Sequence, residues 1–535
     1  MDNARAVLPA QEGGPEDVPG AAPERSGRGR FRRGRRGGSD GGDARGALWR
    51  GGRWDPYTLS AVLFCVYAAV SLTRYRRMDS MSWDLGIFEQ AVKSYAHLHA
   101  PVADLKGPGF NILGDHFSPI TALLAPFYRL FPTPVTLLTA QALLFALSVI
   151  PVTRVAARLL GRGRGAAVGM AYGLSWGVQR ALDFDFHEIA FAMPLLAFSL
   201  EAVLRRRWAA AMWWALPLVL VKEDMGASVA MIGVVVLLRT RRGRGADDRE
   251  GGSEDGAARA YAPALVAFGV AASAWEIRWF IPYFHGPGYD ALNHLDGDGA
   301  LTGHIPAATA VRTLLWILLP AGGLLALRSP LLLVTLPTLG WRCLSHYPEN
   351  WGTGWHYSAV LMPVVFLALV DAIAALGAVE QDGSSGAVGG GAPGGPRPWQ
   401  RAGRRARGLT AAVAAGAPAA TAGAALALCA QLPVAGLTHR ATYTADARTR
   451  AVERMLDRIP DGATVESDVG PLGPLVRRTT VYWIGGTQGL APQYIALADA
   501  SAWLPDAAGT AGRLHPGVRY AVLAEAGGGV VLRRE

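Results

Sequence analysis

Carboxylates, histidines and a lysine recur in short segments of this sequence, each placed between apolar runs. The longest segment, 82–119, carries Asp84, Glu89, Gln90, Asp115 and His116 between apolar stretches at 59–72 and 135–157. Asp84 follows Trp83, and Leu85, Phe88, Val92 and Tyr95 recur at helical spacing, which predicts an amphipathic helix along a membrane interface. A carboxylate held there is partly desolvated, so its proton affinity rises toward that of a useful general base. The competing reading makes Asp84 a helix N-cap. In Asp183-Phe184-Asp185-Phe186-His187-Glu188, alternate residues share a side if the segment is extended, and Asp183 and His187 share one if it is helical. Either geometry offers hard oxygens and an imidazole, a donor set suited to Mg2+ or Mn2+ bound together with a phosphate. The plainer reading is a solvated connection. Lys222-Glu223-Asp224 has hardly any turn on either side, so it is either a phosphate-holding group or an ion pair that offsets its own burial. Asp84 is thus the catalytic candidate, and Glu89, Gln90, His116, Lys222, Glu223, Asp224 and His356 are the substrate- and phosphate-binding ones. Asp183, Asp185, His187 and Glu188 are the candidate metal ligands. Trp341, Trp351 and Trp355 read as interfacial anchors.

The elements that position these groups follow from hydropathy. A chain of 535 residues that is 51% hydrophobic and 18% charged, with positive mean hydropathy, is too apolar for an ordinary soluble enzyme. Spans are expected near 55–74, 135–157, 166–182, 189–204, 208–222, 225–238, 261–283, 309–327, 330–346, 357–377 and 409–437, about eleven helices of near-membrane length. The net charge of +10 sits in clusters flanking these runs, which membrane topology explains without nucleic acid. Arg158, Arg162, Arg164, Arg205–Arg207, Arg328 and the arginines within 239–249 and 401–407 all fall on one side in this arrangement. The polar segments at 75–134, 183–188, 284–308 and 346–356 fall on the other. The positive-inside rule makes the arginine side cytoplasmic and the polar side the outer face of the plasma membrane. Residues 120–131 are apolar but short and broken by Pro126, which predicts a re-entrant or interfacial helix. Cys65, Cys343 and Cys429 lie in apolar runs without metal-type spacing and read as small core residues.

At the two ends the chemistry thins out. Residues 1–53 are rich in Gly, Pro and Arg and predict a disordered cytoplasmic segment, and 378–408 predicts a Gly-rich, basic cytoplasmic linker. Beyond the last span, 446–459 has helical periodicity and 462–466, 480–484, 520–523 and 530–532 read as strands, so 438–535 is expected to be a small extracytoplasmic α/β domain.

The segments Trp83-Asp84-Leu85-Gly86-Ile87-Phe88-Glu89-Gln90, Gly114-Asp115-His116-Phe117-Ser118-Pro119, Phe186-His187-Glu188 and Lys222-Glu223-Asp224 resemble the hallmark segments of a bacterial membrane family, domain of unknown function 2079, over roughly 55–500. The layout is similar to the GT-C class of glycosyltransferases, multispanning enzymes that use polyprenyl-phosphate-linked sugars. That resemblance implies a catalytic aspartate in the first outer loop, here Asp84, and a second acidic, often metal-binding motif, here Asp183 or Asp185. His187 and Glu188 beside the second motif depart from the class pattern. The expected function is sugar transfer from a polyprenyl-phosphate donor to an envelope acceptor, with membrane lipid as partner. The alternative is a transporter or flippase, in which the ionisable groups line a path.

Overall fold

Apolar runs long enough to cross a bilayer become long helices, and the polar segments become the turns that gather at one end of them. The structure is a computed structural model that describes residues 52–80, 82–242, 252–285, 305–345, 347–385 and 398–535. The predicted disordered segment before residue 52 and most of the 284–308 loop lie outside the described residues, as do His346 and 386–397 of the linker. Helix α1 is Asp55–Arg76 and α2 is Asp84–Ala96. A 27-residue helix, α3 (Pro134–Leu160), then leads through Gly161 into α4 (Arg162–Gly173) and α5 (Trp176–Asp183). The ends of α1 mark the two ends of the bundle: Asp55 pairs with Arg162 at 2.6 Å at one, and Arg74 pairs with Asp183 at 2.9 Å at the other. Polar groups inside the bundle are spent on neighbouring helices. The Tyr67 hydroxyl donates to Gly173 O at 2.6 Å, and Ser60 Oγ donates to Ala146 O at 2.7 Å.

The span count differs from the expected eleven. Among the described residues five helices are long and apolar enough to cross a membrane: Asp55–Arg76, Pro134–Leu160, Asp255–His285, Leu361–Ala378 and Gly408–Cys429. Of the other six expected spans, 225–238 is one continuous 18-residue helix that ends in three arginines within its last four residues, and the remaining five are shorter or interrupted helices. Residues 166–182 divide between α4 and α5, and 189–204 gives a 13-residue helix, α6 (Ala192–Leu204), that starts only after a 3-10 turn. Thirteen residues rise about 20 Å, short of a hydrocarbon core of about 30 Å. The lysine-bearing segment 221–224 is a turn before α7 (Met225–Arg242), which packs on α8 (Gly252–Trp275). Helices α9 (Leu361–Ser385) and α10 (Pro398–Cys429) run into the expected linker from both sides, and α10 ends before the predicted 437. The segment 120–131 is a 3-10 turn followed by the short helix Ala125–Leu130, with Leu123, Phe127, Leu130 and Phe131 exposed.

The C-terminal residues form α11 (Ala447–Leu456), β1 (Thr464–Ser467), α12 (Leu472–Val476), β2 (Thr480–Trp483), β3 (Tyr494–Leu497), α13 (Ala507–Leu514), β4 (Tyr520–Ala526) and β5 (Gly529–Arg534). The sheet order is β2-β1-β3-β5-β4. Strand β1 runs parallel to both β2 and β3, with Val465 opposite Val481 on one side and Tyr494 on the other. Strand β5 pairs antiparallel with β3 and β4. Asp446 caps α11 by accepting from Thr449 N at 2.7 Å. Strand β3 and helix α13 had no sequence expectation, since four residues after Pro492 and a Gly-containing run give little periodicity.

Helix α2 joins the sheet to the bundle, and here the amphipathic reading is corrected. Leu85, Phe88, Val92 and Ala96 belong to the main helical core, whereas Ile87 and Ala91 belong to a second core with Leu472, Val476 and Val481 of the C-terminal region. Both faces of α2 are therefore buried in protein. The described residues fall in one compact unit.

Candidate active site

Asp84 is the first residue of α2. Trp83 occupies the N-cap position without a side-chain cap, so the capping reading of Asp84 is not realised. Ser82 Oγ instead donates to Asp84 Oδ2 at 3.1 Å. Burial pushes the Asp84 carboxyl above its ordinary value; His116, the Ser82 hydrogen bond and Lys106 pull it down, and Glu188 adds to the rise. The groups that act on Asp84 thus come from three separate segments of chain.

One of these is the loop 104–116. Lys106 Nζ lies 2.8 Å and His116 Nδ1 2.7 Å from the same oxygen, Asp115 Oδ2. Burial opposes charge on both members of the pair, but each outweighs it for the other. Asp115 is held well below the usual carboxylate range, and His116 is pushed up to about 9. A half-buried imidazolium therefore lies within electrostatic reach of the start of α2. The ring of Phe88 stands edge-on to both His116 and His187, at 6.0 and 5.3 Å between centroids.

The acidic segment is built differently from the donor set expected of it. Asp183, at the end of α5, is held by Arg74 at 2.9 Å and Arg180 at 3.2 Å. Its carboxylate is committed to guanidinium groups. Asp185 turns the chain at φ +62°, an uncommon conformation outside glycine. Gln141 of α3 fixes that turn: its Nε2 donates to Asp185 O, and its Oε1 accepts from His187 N at 3.0 Å. Asp185 Oδ2 is buried without a hydrogen-bond partner, and burial, against the pull of Arg74, pushes the group up to about 7. His187 and Glu188 are buried, with Nδ1 2.5 Å from Oε2 but without hydrogen-bond alignment. Burial lowers the imidazole of His187 and raises the Glu188 carboxyl. His187 stacks on His356, 3.8 Å between centroids and 27° between planes. Both ring nitrogens of His356 are buried and unpartnered. Among the described residues no three Cys, His, Asp or Glu side chains converge as a metal site. The expected set Asp183, Asp185, His187 and Glu188 does not fit a divalent ion as arranged, because the first of them is neutralised by two arginines.

Lys222 completes the cluster. Its Nζ lies 5.6 Å from the Trp341 ring and 5.9 Å from the Tyr357 ring, within electrostatic reach of His187 and Glu188. Trp341 Nε1 donates to Asp224 Oδ2 at 2.8 Å, so this tryptophan is a partner of the acidic turn and not only an anchor. Glu223 accepts through its main-chain oxygen from Ser273 Oγ at 2.5 Å. Two expected binding residues point elsewhere. Glu89 accepts from the Tyr128 hydroxyl at 2.8 Å, and burial pushes it up to about 8. Gln90 donates to Val481 O at 2.8 Å and accepts from Leu105 N at 3.0 Å, which spends its amide on structure.

Sequence reasoning missed Arg74, Lys106, Gln141 and Arg342. Arg342 donates to Asn350 O and Gly352 O, each at 2.7 Å, and to Ser358 Oγ at 3.2 Å, tying down the turn that presents His356. A lone arginine inside the apolar stretch 330–346 was the available signal. Gln141 offered one too, as a buried amide in a membrane-length run.

The fold and the cluster define a helical membrane protein with a buried polar centre where several connections meet at one end of the bundle. The chain belongs to the family described as predicted membrane protein, DUF2079, whose model matches residues 74–295 and 301–476. Among solved structures the chain is similar to ArnT from Cupriavidus metallidurans bound to undecaprenyl phosphate, at 14% identity and TM-score 0.46, covering 88% of this chain and 97% of that one. It is also similar to the same protein in the apo state, at 13% identity and TM-score 0.43, with the same coverage. No curated protein matches the chain.

Proposed function

We propose that this protein is a membrane glycosyltransferase of GT-C type, which moves a sugar from a polyprenyl-phosphate donor to an envelope acceptor on the outer face of the plasma membrane. The observation that carries this reading is one carboxylate, Asp84, half-buried at the head of a helix and within electrostatic reach of His116, Glu188 and Lys106, with Lys222 within reach of the same Glu188. Asp84 takes the proton of the acceptor hydroxyl. The freed oxygen bonds to the anomeric carbon, and the bond from that carbon to phosphate oxygen breaks with its electron pair on the leaving phosphate. Lys222 and the imidazolium of His116 stabilise that developing negative charge, which is worth most where water is excluded. A base above the ordinary carboxylate range suits proton abstraction from an alcohol near neutral pH, and a lipid-borne donor accounts for a site at the ends of membrane helices.

The test compares envelope glycans and glycolipids in a strain lacking the gene, in that strain restored with wild type, and in one restored with Asp84→Asn at matched membrane abundance. A product lost in the first and third strains and regained in the second supports transfer. Full restoration by Asp84→Asn sinks the assignment. A second reading, transport of a lipid-linked or small polar substrate, is favoured by Glu276, which is buried inside the apolar helix Asp255–His285 with Oε2 unpartnered. Uptake by vesicles holding the purified protein, without covalent change in the substrate, would favour it.

A further inference from the structure

The C-terminal sheet touches the site through the same helix that carries Asp84. Trp483, the last residue of β2, packs edge-to-face on Trp83 at 4.8 Å between centroids, one residue before Asp84. Gln90 ties the second turn of α2 to Val481 O of β2 and to Leu105 N of the neighbouring loop. Lys93 donates to Val476 O at 3.0 Å. A Cβ at Gly86 would lie 2.7 Å from Leu105 and 3.5 Å from Leu472, so sheet, loop and helix meet without spare room. The contact continues inward. Lys106 lies 5.2 Å from the Trp83 ring, and the same ammonium holds Asp115, which holds His116.

We propose that the C-terminal region forms one wall of the active site, in which Trp483 and Gln90 act as positioning residues that fix the head of α2 and shield Asp84 from bulk water. This rests on the reading that places the reaction at Asp84. Without the wall, Trp83 loses its packing partner, and Lys106 and the head of α2 lose their backing. The half-buried carboxylate would then meet more water and shift relative to His116 and Lys106, and also relative to Ser82, Asp185, Glu188 and Tyr357, the other polar groups that act on it or that it acts on. An accessory module hung on a linker would have none of these consequences.

The test uses the full-length protein with Cys65, Cys343 and Cys429 replaced by alanine and with Asp84→Cys as a reporter, labelled by a sulfonated maleimide. Labelling is expected to be slow with Trp483 present, about tenfold faster with Trp483→Ala, and slow again with Trp483→Phe, because thiol reactivity follows access. Hydrogen exchange in β4 and β5 is followed in the same samples. If Trp483→Ala loosens the sheet, Gln90→Leu decides, since it keeps side-chain volume on α2 while removing both ties. Equal labelling rates in wild type, Trp483→Ala and Gln90→Leu overturn the proposal. In strains that retain Asp84, the envelope product is expected to fall with Trp483→Ala and return with Trp483→Phe, while Leu490→Ala on the exposed surface leaves it unchanged. Normal product with Trp483→Ala, where Asp84→Asn has none, defeats the wall but leaves the reaction standing. Normal product with Asp84→Asn defeats the reaction, whatever the labelling shows.

Discussion

At Asp115, two cations share one oxygen, and the consequence is a pH window. His116 is pushed from its ordinary 6.5 up to about 9, so its contribution to stability is complete below about 6.5 and is lost as pH rises through about 9. Asp115 is shifted the other way; its contribution is complete above about 3.9 and fades as pH falls below that. The pair therefore supports the loop most fully between about pH 4 and 6.5, with the remainder lost toward 9. Replacing Asp115 by Asn is expected to cost about 1.5–3 kcal/mol, the usual worth of a hydrogen bond to a charged group. The cost should shrink as pH passes 9. Thermal midpoints of both proteins in detergent from pH 6 to 10 check this, and a difference that does not change with pH would contradict it.

Among the elements, the helices α3 and α4 pack closely where they meet. A Cβ at Gly165 would sit 2.3 Å from the main chain of Ala157, whereas one at Gly163 meets nothing within 4 Å. Two alanine substitutions two residues apart should therefore have opposite effects. Gly165→Ala forces the helices apart at about 1–3 kcal/mol, the usual cost of overpacking. Gly163→Ala should be neutral or stabilising by up to about 1 kcal/mol, because glycine is a poor helix former. The monodisperse fraction left after heating in detergent separates the two, and equal loss for both would refute the close-packing argument. Helix α2 follows a different rule. Its polar Gln90 and Glu89 are buried because protein covers the helix on both of the faces they occupy.

For the molecule as a whole, the C-terminal sheet is part of the core. Ile87, Ala91, Leu105 and Ile112 of the first polar segment are buried in one cluster with Val465, Leu472, Val481 and Val531. Ending the chain at residue 438 would expose them, and each large aliphatic side chain returned to water costs about 1.5–3 kcal/mol. The shortened protein is expected to accumulate poorly in membranes and to lose exchange protection in α2. Undiminished accumulation with normal protection of α2 would show that the bundle does not need the sheet.

Composition and hydropathy determined a great deal alone: a membrane class, the long helices α1, α3 and α9, and strands β2, β4 and β5. These are local properties, set by how each stretch partitions between water and hydrocarbon or by its own periodicity. Span length was less legible, since a turn at Leu174-Ser175 interrupts an apolar run without changing its hydropathy. What tertiary structure decided was the partner of each polar group. Asp183 goes to Arg74 across 109 positions and Gln90 to Val481 across 391, distances over which sequence pattern carries no information. A buried charge or amide is governed by whatever group comes to lie beside it, and that neighbour exists only once the chain has folded.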